Sequence, residues 1–429
     1  DKSHYQQFTP PFDIPESWEW VRLEDISYAV LGKMLDKSKN KGVNHPYLRN
    51  INVRWFEFDV SDLLEMPFEM QEADRYSIKH GDLVICEGGE PGRCAVWDKT
   101  EPIMFQKALH RVRFFGEINS HFISNIIYLY CLNGFITTFF TGSGIKHLTG
   151  ESLANIPIPM PPIKEQQRIL KSVNSFDIII QQITDNKKLL SNTIILIKSK
   201  IIDLAMQGKL VPQDPADESA ADMLRRVNPK AKIITDNPQC RNLPLGWTLC
   251  QLRDLCLFLS RGKSPKYSET PNQYPVFAQK CNLKDGDISL TQARFLDENT
   301  ISKWPEKYRL RDGDVLVNST GTGTVGRTRM FKSEYLGNYP FVVPDSHVSV
   351  VRSFDEIDST YIFYCLYCQD GQQYFAENLA GSTNQKELYI DVIGDKSIML
   401  PPINEQKRIV AKIEEQYSVL YEIEASLRS

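Results

Sequence analysis

Residues 161–170 read PPIKEQQRIL and residues 401–410 read PPINEQKRIV, so the chain carries one ten-residue pattern twice, 240 positions apart. A repeat constrains the fold more than any single motif, because each copy must build the same supersecondary unit. Three further pairs keep the same order. IPESWEWVRLEDI from Ile14 matches LPLGWTLCQLRDL from Leu243, which aligns Trp18 with Trp247, Leu23 with Leu252 and Asp25 with Asp254. HGDLVICEGGEPGR from His80 matches DGDVLVNSTGTGTVGR from Asp312, and TGSGIKHLTGESLANIPIPMPP from Thr141 matches AGSTNQKELYIDVIGDKSIMLPP from Ala380. The offset drifts from 229 to 240, so small insertions separate the blocks.

Each copy opens with a Pro-containing turn and a Trp and continues in short β-prone runs bounded by Gly, Asp and Pro. DLVIC, CAVW and HRVRF are the runs of the first copy; DVLVNS, GRTRMF and HVSVVR are those of the second. Outside the repeated blocks the copies hardly resemble each other, a pattern that predicts one scaffold carrying two different surfaces.

After Pro161-Pro162 the period changes, and proline suits a helix start. Ile169, Val173, Phe176, Ile180, Ile183, Lys187, Leu190, Ile194, Ile197, Ile201 and Leu204 alternate steps of four and three, and only Lys187 is not apolar. This is a heptad seam, with Gly208 placed to end the helix. Ile409, Ile413, Gln416, Leu420, Ile423 and Leu427 repeat it in the second copy. Both helices need a partner and can supply one to each other. Unbroken, residues 163–207 would span about 68 Å at the rise of an α-helix.

The expected fold class is α+β: two α/β domains related by the repeat and joined by two long helices that form a coiled coil. The expected divisions are an N-terminal segment 1–12, a first domain 13–162, a central helix 163–208, a polar linker 209–242 (VPQDPADESAADMLRRVNPKAKI at its heart), a second domain 243–402 and a C-terminal helix 403–429. A total of 41% hydrophobic and 24% charged residues suits such globular domains. The apolar stretch FISNIIYLYCLNGFITTFF is interrupted by Asn125 and Asn133 and predicts a buried helix rather than a membrane span. The chain opens at Asp1 without a basic-then-apolar leader, and its nine cysteines form no disulfide or zinc framework, so the expected compartment is a reducing cytoplasm. Cys365 and Cys368, in CLYC, lie in an aromatic helical segment and are expected in the core.

Catalytic motifs are missing. An amino-methyltransferase needs an Asn/Asp-Pro-Pro-aromatic segment to hold a flipped adenine, whereas Asn228-Pro229 and Asn237-Pro238 continue to Lys230 and Gln239. No Walker sequence for ATP is present. GTGTVGR, at Gly321 to Arg327, sits between two strand-like runs and predicts a tight loop rather than a cofactor cradle. The seven histidines show no HExxH or paired spacing, so neither metal nor cofactor is expected.

Taken together, the repeated PPIKEQQRI and PPINEQKRI, the two domain openings, the paired GSGIKHL and GSTNQKEL, and QGKLVPQDPADESA after the central helix resemble the specificity subunit of type I restriction-modification systems over nearly the whole chain. The resemblance implies two target-recognition domains, each reading one half of a split, asymmetric site on double-stranded DNA. It also implies an antiparallel helix pair that sets the gap and docks two methyltransferase subunits, a pseudo-twofold circular arrangement, and the possible company of ATP-dependent restriction subunits. The second helix differs in lacking a counterpart of Gly208-Lys209-Leu210. Two other readings are the specificity portion of a fused restriction-methylation enzyme, which would need a catalytic segment, and a coiled-coil scaffold, which would bind no DNA.

A net charge of −4 means that a DNA-binding face must be local. DNA readers need cations for phosphates and planar polar groups for base edges. The first copy offers Lys33, Lys37, Lys39 and Lys41, then Arg49 and Asn50; the second offers Arg261, Lys263 and Lys266, then Lys280 and Asn282. Arg93, Lys146 and His147 in the first copy, and Thr322, Arg327, Gln385 and Lys386 in the second, come from repeated blocks. They suit backbone contacts better than sequence choice.

Overall fold

The structure is a computed structural model that describes residues 10–428 except 37, 39, 285 and 382–385. The chain divides into two compact units, Asp1–Thr184 and Asp185–Ser429.

The first unit runs β1 (Glu19–Arg22), α1 (Leu23–Ile26), β2 (Ser27–Leu31), β3 (Val43–Leu48), β4 (Leu64–Phe68), β5 (Ser77–Ile78), β6 (Leu83–Cys86), β7 (Cys94–Val96), β8 (Ile103–Phe105) and β9 (Leu109–Phe114). Helices α2 (Ser120–Leu132) and α3 (Gly150–Ala154), strand β10 (Pro157–Met160) and the start of α4 (Ile163–Met206) follow. An antiparallel sheet of order β2-β9-β6-β7 lies beside a mixed one of order β4-β3-β8-β5, and β1 pairs with β10. Strand β6, LVIC, is buried along its whole length, as an apolar run covered on both faces should be.

The second unit takes in the rest of α4, then α5 (Ala220–Val227), β11 (Ile233–Ile234), β12 (Thr248–Gln251), β13 (Cys256–Arg261), β14 (Pro275–Phe277), β15 (Arg294–Phe295), β16 (Val315–Asn318), β17 (Thr328–Met330), β18 (Val343–Pro344) and β19 (Val348–Ser353). It closes with α6 (Ser359–Tyr367), α7 (Gln369–Glu377), α8 (Ile390–Asp395), β20 (Ser397–Leu400) and α9 (Ile403–Arg428). Its sheet β13-β19-β16-β17 repeats β2-β9-β6-β7, and β14 runs parallel to β18 as β3 does to β8. Glu19 faces Met160 in the first unit and Thr248 faces Leu400 in the second, the same register at the two repeat offsets. All six strand runs expected from the sequence are strands, while the apolar stretch expected as one buried helix is the half-buried helix α2 only as far as Leu132, with a separate 3-10 turn at Phe135–Phe139 after left-handed Gly134.

The repeated letters have structural causes. In each Gly-Asp pair the glycine is left-handed, Gly81 at φ 86° and Gly313 at φ 82°, a backbone region that glycine enters without strain. The aspartate that follows then takes a bidentate arginine from the last strand of the sheet. Arg113 Nε and Nη2 donate to Asp82 at 2.7 and 2.6 Å, and Arg352 Nε and Nη2 to Asp314 at 2.7 Å each. Each carboxylate also accepts the backbone N–H three residues upstream, from Lys79 at 2.7 Å and from Arg311 at 2.8 Å.

The glutamine of PPxxEQ is buried in both copies. Gln406 Nε2 donates to Pro401 O at 2.8 Å while its Oε1 accepts Asp358 N at 2.9 Å; Gln166 makes the matching bonds to Pro161 O at 3.0 Å and from Asn119 N at 3.4 Å. Asn119 and Asp358 are the N-caps of α2 and α6. One side chain therefore ties the start of each long helix to the start of the helix before it.

Helix α4 is continuous over 44 residues. It ends as expected at Gly208, φ 65°, where Gly208 N and Lys209 N donate to Ala205 O and Leu204 O at 3.0 and 2.8 Å. Within the second unit, Ile194, Ile201, Ile202 and Ala205 share a core with Ile409, Ile413 and Leu420 of α9. Tyr417 donates its hydroxyl to Lys198 O at 2.9 Å, and Lys198 Nζ bonds Glu424 at 2.8 Å.

Two expectations need correction. The seam is covered over part of its length: Ile169 packs on the first unit's core and Val173 is half-buried, but Phe176, Ile180, Ile183, Leu190, Ile197 and Ile423 are exposed. Heptad spacing selects a helix face and does not supply its cover. The polar linker is also structured, for Ser219 caps α5 and Ala220, Met223 and Leu224 are buried in the second core. Their spacing makes an apolar stripe on one helix face. The division between units falls within α4 rather than at its ends.

Cys365 and Cys368 are buried, as expected of core residues. Among the described residues, no helix is long and apolar enough to cross a membrane.

Candidate nucleic-acid interface

In each unit, loops at one end of the matched sheets converge. Gly32 N bonds Leu109 O, Lys107 N bonds Lys33 O, Glu87 N bonds Ala108 O, and Leu148 N bonds Glu87 O. In the second unit Gly262 N bonds Val348 O, Ser319 N bonds His347 O, and Leu388 N bonds Ser319 O. Lys33 bridges Gln106 and Lys263 bridges Asp345, both in parallel. Five loop segments thus share one backbone frame in the first unit, 32–34, 49–50, 86–93, 106–108 and 141–148, and the described parts of their counterparts in the second unit follow it, with Ala380 bridging Glu387.

An arginine reaches across this frame in each copy. Arg93 Nη2 donates to Asn50 O at 3.0 Å and Arg327 Nη1 to Asn282 O at 2.6 Å. Arg93 also pairs with Glu90. Asn50 Nδ2 donates to Gly88 O at 3.3 Å; at the matching position, Gln279 accepts the Thr320 hydroxyl at 3.5 Å. Thr320 Oγ1 lies 2.7 Å from His347 Nδ1, and Arg261 pairs with Glu387 and donates to Ser346 O at 2.6 Å. The frame is common, while the polar groups it displays differ.

Several expected DNA contacts belong inside the fold. Lys33 is buried, pairs with Glu72 and donates to Pro67 O at 3.1 Å over the Phe68 ring. Asn282 is fully buried and donates to Asn318 Oδ1 at 2.7 Å. Neither side chain faces solvent, which corrects their assignment. Arg49 is largely enclosed against Asp62 at 2.8 Å, and Arg93 is held as described, so their guanidiniums serve the frame first.

Lys41, Lys146, Lys263, Lys266, Lys280, Thr322 and Lys386 are exposed, and Asn50, His147, Arg261 and Arg327 are partly so. Lys146 donates to Gly142 O at 2.8 Å, Lys263 lies 4.3 Å from the Tyr308 ring centre, and Lys266 bonds Asp297 at 2.6 Å, a contact that raises the lysine pKa. Lys37, Lys39 and Gln385 lie outside the described residues. The loop Gly321–Arg327 is the β16–β17 connection, with Gly321, Gly323 and Gly326 left-handed, and is the tight turn expected.

Sequence reasoning missed the loop before the last strand of each sheet. It presents exposed Lys107 with Gln106 in the first unit and exposed His347 with Ser346 in the second. Aligning FQKALHRV from Phe105 with PDSHVSVV from Pro344, at an offset of 239, would have found it. Behind it His110 is buried with Nε2 2.8 Å from Leu148 O, and burial lowers its pKa. Asp345 is buried too, which raises its carboxyl pKa against the opposing pull of the His347 N–H and Arg261. Among the described residues, no group of three His, Cys, Asp or Glu could hold a metal.

A protein family described as the type I restriction modification DNA specificity domain matches residues 15–192 and 244–428, one match for each copy of the repeat. The EcoEI specificity subunit of Escherichia coli is 24% identical over 98% of the chain and 81% of its own length; the MjaVIII specificity subunit of Methanocaldococcus jannaschii is 22% identical over 93% and 86%. Among solved structures, the HsdS subunit of Thermoanaerobacter tengcongensis superposes with a TM-score of 0.59 at 21% identity, covering 97% of this chain and 95% of that one.

Proposed function

Because the chain belongs to the family of type I restriction-modification DNA specificity domains, and is thus a DNA-recognition rather than a catalytic subunit, we propose that its two units each read one half of a split, asymmetric DNA site. The observation that carries this reading is the duplicated loop frame with unlike polar groups. Lysines at the rim, Lys41, Lys107 and Lys146 on one unit and Lys263, Lys280 and Lys386 on the other, neutralise phosphates. The groups set between them differ, with Asn50 and Gln106 on one side and Gln279, Thr320 and His347 on the other. They supply base-edge contacts that make the halves unlike.

Helices α4 and α9 pack as an antiparallel pair in this reading. Its support is that Lys198 meets Tyr417 and Glu424 while Gln213, past the end of α4, meets Glu405 at the start of α9. The pair fixes the gap between half-sites, and the helical region docks two methyltransferase subunits that flip and methylate an adenine in each half. The same address serves an ATP-dependent restriction subunit.

Long-read mapping of N6-methyladenine in a methylation-free host tests this. Co-expression with the methyltransferase encoded beside this chain is expected to mark a two-part motif with a fixed gap, and either protein alone to mark nothing. Unsplit or absent marks with a folded, bound methyltransferase would sink the proposal.

A further inference from the structure

The second unit carries a chain of side-chain contacts that the first lacks. Thr320 Oγ1 lies 2.7 Å from His347 Nδ1 and 3.5 Å from Gln279 Oε1. Both ends of this chain are held. The His347 backbone N–H donates to Asp345 Oδ1 at 2.8 Å, and its carbonyl accepts Ser319 N at 2.8 Å. Gln279 O accepts Asn318 Nδ2 at 3.1 Å, and its Oε1 lies over Gly321, where a Cβ would stand 2.3 Å away. In the first unit the Ser319–His347 bond is matched by one from Glu87 N to Ala108 O. Gly88 and Ala108 therefore hold the places of Thr320 and His347, and neither has a side chain that could pass on a hydrogen.

The hydrogens along the chain can be counted. A carboxamide oxygen carries none and a hydroxyl carries one, so the hydrogen between Gln279 and Thr320 belongs to the threonine. It cannot also fill the shorter contact to His347, which must be bridged by a hydrogen on Nδ1. A neutral imidazole has a single ring hydrogen; with Nδ1 protonated, Nε2 is left as an acceptor. His347 is exposed in the loop before the last strand of the sheet, and Gln279 is partly exposed.

We propose that His347 is a specificity-determining residue of the second unit, whose Nε2 accepts a hydrogen bond from an exocyclic amino group in the DNA major groove. Thr320 is the positioning residue that sets this polarity. Adenine N6 and cytosine N4 offer such a donor, whereas guanine O6 and thymine O4 are acceptors and would meet the bare nitrogen lone pair to lone pair. The second unit thus takes adenine or cytosine at one position of its half-site and refuses guanine and thymine. Gln279, its oxygen engaged by Thr320, keeps its amide hydrogens for an acceptor, so the two ends of the relay present opposite polarity. The inference rests on the two-reader proposal above and adds the class of base that one reader selects.

Two measurements test it. Nitrogen-15 NMR of the full chain labelled at histidine reads the tautomer, the His347 signals being those lost in His347→Gln. At about pH 8, above the ordinary histidine range, Nδ1 should be protonated and Nε2 bare, and Thr320→Val should abolish that preference. A hydrogen on Nε2 in the wild type overturns the proposal without recourse to any variant at Thr320. The second measurement maps N6-methyladenine on co-expression with the methyltransferase encoded beside this chain. One position in one half of the motif should be restricted to adenine or cytosine. Thr320→Val should lower that discrimination about tenfold or more at this position alone, and Thr320→Ser, which keeps the hydroxyl, should restore it. A split motif that Thr320→Val leaves unchanged overturns this inference and leaves the two-reader proposal standing, whereas absent or unsplit wild-type marks overturn both.

Discussion

Gln406 and Asp314 are single side chains that each hold two elements together. Gln406→Ala would strip the Asp358 N–H of its acceptor and should cost about 1–3 kcal/mol, with Gln166→Ala costing less because its bonds are longer. Thermal unfolding of both variants checks the order. Asp314→Asn leaves Arg352 charged and buried without its counter-ion and should cost about 3–5 kcal/mol. Asp82→Asn should cost less, since the Arg113 side chain is 35% exposed and Arg352 only 10%. His110 supplies a pH dependence. Burial holds its folded pKa below the ordinary 6.5, so the unfolded chain takes up a proton first as pH falls. Its stabilising effect is complete above that value and lost between there and the lower folded pKa. Denaturation between pH 8 and pH 5 should show this decline, and His110→Asn should flatten it.

At the scale of elements, periodicity predicts a helix without predicting what covers it. Ile413 is fully buried in the α4–α9 core and Phe176 is 65% exposed, though both occupy seam positions. Ile413→Ala should cost about 2–5 kcal/mol and Phe176→Ser no more than about 0.5 kcal/mol, measured by urea unfolding of the free chain. The strands, both long helices and the Gly208 stop were legible because each depends on local chemistry. Helix α5 was not, because PQDPADES reads as a loop while Ala220, Met223 and Leu224 show their stripe only once the helix is recognised. The Asp82–Arg113 and Asp314–Arg352 pairs explain a repeated Gly-Asp whose partners lie 31 and 38 residues away, a range that spacing arguments do not reach.

For the whole molecule, the repeat was sufficient to place the loops and insufficient to sort their residues. Lys33 and Lys280 look alike in the sequence, yet one is buried against Glu72 and the other is exposed. The difference is set by a strand pairing, Lys33 with Gln106, that joins residues far apart in the chain. Binding of target DNA as a function of salt separates the two. Lys280→Ala and Lys146→Ala should each lower the slope of log K against log salt by about 0.9, whereas Lys33→Ala should leave the slope unchanged and reduce stability. The candidate interface was therefore readable as a region, while its membership depended on long-range pairing.

The glutamine clamp has a mechanical consequence. Helix α4, about 66 Å long at the usual rise, is a lever whose far end swings by about 1 Å for each degree of tilt at its root. Gln166 lies at that root and fastens the helix to the protein body with two bonds. A bend of a few degrees at that one buried amide would be magnified to several ångströms along the helix, so a side chain of ordinary size sets the stiffness of the longest element in the chain.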